Sequence, residues 1–91
     1  MNFYKCFISL KNTNQEDLKR LIQYCANQQN ITHLVQCVGE WELEPEFEIK
    51  SSEDFQIILE EIREKFSKII KHIEVVNILE EKSYICLPQN N

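Results

Sequence analysis

Ninety-one residues, 43% of them hydrophobic, suffice for one compact domain around one core and exclude two domains of ordinary size, so residues 1–91 are read as a single unit. Fifteen acidic against ten basic residues give a formal charge of −5, and the bases are scattered rather than clustered, which argues against direct nucleic-acid contact. No apolar run approaches the roughly 20 residues that a bilayer span requires, and MNFYKCFISL carries polar residues within its apolar stretch and no small-residue cleavage signal, so no membrane contact and a cytoplasmic location are expected.

Taken in chain order, Phe3 to Leu10 is aromatic and aliphatic with Lys5 and Ser9 on the alternate face, which predicts strand β1. Asn14 then stands where a helix cap belongs. Glu16 and Asp17 follow in the acidic first turn, and Leu18, Leu21, Ile22 and Cys25 repeat at helical spacing, predicting α1, which fades into the polar stretch Ala26 to Asn30. ITHLVQCVG is β-branched and half alternating and stops at Gly39, the one glycine in the chain. WELEPEFEIK begins at once with period-two alternation, so β2, a tight turn and β3 are expected. Ser51 or Ser52 caps a long helix, α2, whose apolar positions Phe55, Ile58, Leu59, Ile62, Phe66, Ile69 and Ile70 step by threes and fours. HIEVVNILEEKSYICLP closes the chain as β4.

The order β-α-β-β-α-β predicts an α+β, ferredoxin-like sandwich: one antiparallel four-stranded sheet with both helices on one face, dimeric through the bare face. In that topology β3 is central, yet Pro45 has no N–H for the ladder, so a bulge or local break is expected there. Trp41, Leu43, Phe47 and Ile49 are the better core set, which leaves Glu42, Glu44, Glu46 and Glu48 for the uncovered face. Successive carboxylates about 7 Å apart need solvent, cross-strand bases or a partner's bases, and Lys5, His33 and Lys71 are the candidates. A solvated or salt-bridged strand face accounts for this ridge more simply than a metal site, because carboxylates along one strand converge poorly on an ion. Which alternating set of β1, β2 and β4 faces outward is left open.

Catalytic chemistry has little to stand on. His33 and His72 belong to no motif that ties them to a nucleophile, and a chain with one glycine cannot build a Gly-rich phosphate cradle. Cys6, Cys25, Cys37 and Cys86 are far apart with no C-x-x-C pair, which suggests buried free thiols rather than a zinc or redox centre. No enzyme, no cofactor and no metal are expected.

From Ile31 to Ile78 the chain resembles the effector-binding (RAM) domain of the Lrp/AsnC family of transcription regulators, most closely its archaeal-type members. Gly39-Glu40-Trp41-Glu42 carries the resemblance, being similar to the family's glycine, acidic or polar residue, aromatic and aspartate at the β2 to β3 turn, together with the alternating acidic strand and the helix IILEEIREKFSKIIK. β1 and α1 fit the same order more loosely. The resemblance implies sheet-to-sheet homodimers, higher oligomers built from them, and a small-molecule effector, commonly an amino acid, bound at subunit boundaries near this turn. Gly39, Glu40, Trp41 and Glu42 are then the ligand-binding positions. Gly39 would allow close backbone approach, Trp41 rigid contact area, and Glu42 an acceptor for an ammonium group. Two departures stand out: Glu42 replaces the usual aspartate, and the family's winged-helix DNA-binding domain has no counterpart before Phe3. The expected protein is therefore a stand-alone effector module or an excised C-terminal domain, reaching DNA through a fused or separate DNA-binding regulator. A small dimeric ferredoxin-like enzyme of monooxygenase-like type, or a purely structural oligomer scaffold, are the alternatives.

Overall fold

The structure is a computed structural model and describes residues 1–11, 14–36 and 42–78. Its elements are β1 (Asn2–Leu10), α1 (Gln15–Asn27), β2 (Ile31–Gln36), β3 (Glu42–Ile49), α2 (Ser52–Lys65) and β4 (Ile70–Asn77). The strands form one antiparallel sheet in the order β2-β3-β1-β4, so the central pair is β3 and β1, as a ferredoxin-like α+β fold requires.

Both helices start where the sequence supplies a cap. The Asn14 side chain accepts from Asp17 N at 2.8 Å, and Ser51 Oγ accepts from Asp54 N at 3.1 Å, which decides between Ser51 and Ser52. Acidic residues fill each first turn, and Arg63 and Lys65 sit in the last turn of α2, complementing its dipole. Leu18, Leu21 and Cys25 of α1 and Phe55, Ile58, Leu59 and Ile62 of α2 are buried against the sheet.

The end of α2 differs from the sequence expectation. The helix stops at Lys65, and the Ile69 and Ile70 amides both donate back to Phe66 O at 3.0 Å. Phe66 and Ile69 keep an apolar spacing because they fill the core beneath this turn, not because the helix continues. Ile70 already belongs to β4, opposite Leu10, so β4 starts two residues before His72; the part of the expected strand beyond Ile78 lies outside the described residues.

Pro45 is accommodated by a gap in pairing and not by a bulge in β3. Glu48 N donates to Asn30 O on the β2 side, so by alternation the Pro45 nitrogen faces β1. There the β1–β3 register runs unchanged from Asn2↔Ile49 to Ser9↔Glu42 but skips the positions opposite Pro45 and Glu44. On the other side the register shifts between Ile31 and His33, which places the irregularity on β2.

The core lies on one side of the sheet. Tyr4, Cys6, Ile8 and Leu10 of β1 and Leu43, Pro45, Phe47 and Ile49 of β3 point into it, with both helices above. Phe55, 1% exposed, is its aromatic centre: Tyr4 stacks on it at 4.0 Å between centroids, and Phe47 meets it edge-on at 5.0 Å. Tyr24 joins the two helices, its hydroxyl donating to Glu61 Oε1 at 2.5 Å and its ring meeting Phe66 at 5.7 Å. Burial, then the bond to Glu61, pushes the Tyr24 phenol up to about 12. Among the described residues no polar or charged side chain is buried in this core.

Candidate functional site

The alternation that fills the core fixes what the opposite face displays. Antiparallel partners share a face, so the pairs Lys5↔Glu46, Lys5↔Val76, Phe7↔Glu74, Ser9↔His72 and His33↔Glu46 put all these side chains on the uncovered side. The question left open by the sequence is thereby answered: Phe3, Lys5, Phe7 and Ser9 of β1, His33 and Val35 of β2, and Glu74 and Val76 of β4 face away from the helices. Glu42, Glu44, Glu46 and Glu48 join them from β3, as expected from the burial of Leu43, Phe47 and Ile49. Trp41, the remaining member of that core set, lies outside the described residues.

The face divides into two kinds of surface. Across β1 and β4, Phe3 and Phe7 are half-buried, Val76 is 39% exposed, and Ile78 N donates to Phe3 O at 2.9 Å, bringing that residue alongside. Along β3 runs the acidic ridge. Between them stands Lys5, whose Nζ lies 3.2 Å from Glu44 Oε1 and 3.6 Å from Glu46 Oε2. It also sits 5.3 Å from the centroid of the Phe7 ring. The hydrogen bond to Glu44 holds the Lys5 ammonium above its ordinary range, against the opposing effect of burial and with the help of the Glu44 and Glu46 charges. At the β2 edge His33 Nδ1 is 3.7 Å from Glu46 Oε1. Of the three bases proposed for the ridge, Lys5 and His33 thus reach it; Lys71 is exposed on β4 and forms no ion pair among the described residues.

Of the four expected ligand-binding positions, Glu42 alone is described: it opens β3, half-buried on the uncovered face, opposite Ser9. Gly39, Glu40 and Trp41 lie outside the described residues. A separate open cleft of about 490 Å3, bordered by Met1, Gln28, Asn30, Lys50 and Ile57, sits at the other end of β3 from Glu42. It contains no buried polar group to orient a ligand.

The thiols are chemically quiet. Cys6 and Cys25 are free and buried, and desolvation pushes them up to about 12 and about 11, so neither is a thiolate near neutral pH. Cys37 and Cys86 lie outside the described residues. Among the described residues no group of three or more His, Cys, Asp or Glu side chains is arranged to hold a metal ion, and no helix is long and apolar enough to cross a membrane.

No protein-family model matches the chain, and no curated protein does. Among solved structures that match is one described as "Crystal structure of PH0061", with a TM-score of 0.59 and 15% identity. The match covers 86% of this chain and 53% of that one, so this chain spans about half the length of its structural neighbour. At that identity the likeness concerns the fold alone.

Proposed function

We propose that the protein is an effector-sensing and oligomerisation module of Lrp/AsnC type, which pairs with a second copy through the uncovered sheet face and binds a small molecule, an amino acid by the resemblance, at the subunit boundary. The observation that carries this reading is the uncovered face itself. It places Phe3, Phe7 and Val76 in a block flanked by charged groups, the composition of a surface that is apolar at its centre and wet at its rim. A domain of this size buries a modest share of its surface, so covering that block with a copy adds stability where one chain alone has little to spare. Glu42, at the margin of the face, gives an amino-acid ammonium group an acceptor next in sequence to Gly39, Glu40 and Trp41.

In this proposal the module reaches transcription through a fused or separate DNA-binding regulator and makes no nucleic-acid contact of its own, in keeping with its charge of −5. A ligand at the boundary shifts the balance between assemblies by its differential affinity for them. The non-enzymatic reading draws on the layer between sheet and helices, where a catalytic cleft of this fold would need polar groups and the buried side chains among the described residues are apolar.

The test is thermal unfolding and light scattering with a panel of amino acids. A true effector at a hundredfold excess over its Kd adds about 2.7 kcal/mol, a rise in Tm on the order of 10 °C for a domain this small, together with a change in assembly mass. If no compound alters either quantity, the sensing role is wrong.

A further inference from the structure

We draw no further inference here: the strongest candidate, the open cleft at the end of β3 where Met1 and Ile57 stand exposed beside the buried Ile49 and Ile58, is an apolar groove, and nothing in the structure shows what covers it.

Discussion

Lys5 is the residue on which the uncovered face turns. Among the described residues it is the one ammonium set between the β3 carboxylates, and its contacts at 3.2 and 3.6 Å keep it protonated further into the alkaline range than an ordinary lysine. The sign of the resulting pH dependence follows from that direction. A folded-state value raised above the unfolded one contributes stability that is complete below the unfolded lysine value of about 10.4 and is lost as pH rises through the higher folded value. Comparing the chain with Lys5→Met by urea denaturation should therefore show a constant deficit for the variant from neutral pH to about pH 9, shrinking above about pH 10.4. The Cys6, Cys25 and Tyr24 effects at alkaline pH are common to both proteins and cancel in the difference. A deficit that grows with pH would contradict the assigned role. At this scale the sequence was readable in part. Alternation and the better core set placed the glutamates outward and named Lys5 and His33 as partners, but Lys71 was indistinguishable from them without the β1–β4 register, which shifts between Ser9 and Leu10 beside it.

At the scale of elements, each helix is set by a cap and an apolar stripe, and α2 gives way to a turn that carries Phe66 and Ile69 to the core. Ser51 and Ser52 are equivalent by residue type, yet Ser51 alone accepts from Asp54 N. Ser51→Ala is accordingly expected to cost about 1 kcal/mol in chemical denaturation, while Ser52→Ala costs a few tenths at most. Equal losses, or a larger loss at Ser52, would mean that the cap is misassigned. Helix and strand order were legible because periods of 3.6 and 2 survive in single segments. The end of α2 was not, since Phe66 and Ile69 satisfy helical spacing while packing from a turn. The same limit applies to Pro45: its missing N–H announced an interruption, but whether the gap opened toward β1 or β2 depends on which way alternate β3 amides point, a property of pairing that no single strand encodes.

For the whole molecule, the central feature is asymmetry between the two sides of the sheet. One side is covered by α1 and α2 over a set of buried residues that, among the described residues, is entirely apolar. The other presents Phe3, Phe7, Val35 and Val76 among charges, with Val35 46% exposed. The asymmetry was readable from the βαββαβ order, because two crossover helices can cover one face only when the strands are arranged this way. The likeness to a solved structure, of which the match covers 53%, supports that fold. The candidate ligand positions were proposed from a short resemblance, and three of the four, Gly39, Glu40 and Trp41, fall outside the described residues; Glu42 stands on the uncovered face where the alternation put it.

The most direct test of whether that face meets a second copy is the solution mass of the chain and of Val76→Asp, measured by light scattering under identical conditions. Val76 is exposed on an outer strand, so an aspartate there leaves the core alone while placing a charge in the apolar block. The account predicts a mass of at least two chains of 10.9 kDa for the unaltered protein and a single chain for the variant, with both remaining folded. A single-chain mass for the unaltered protein, or an assembly that Val76→Asp leaves intact, would contradict it.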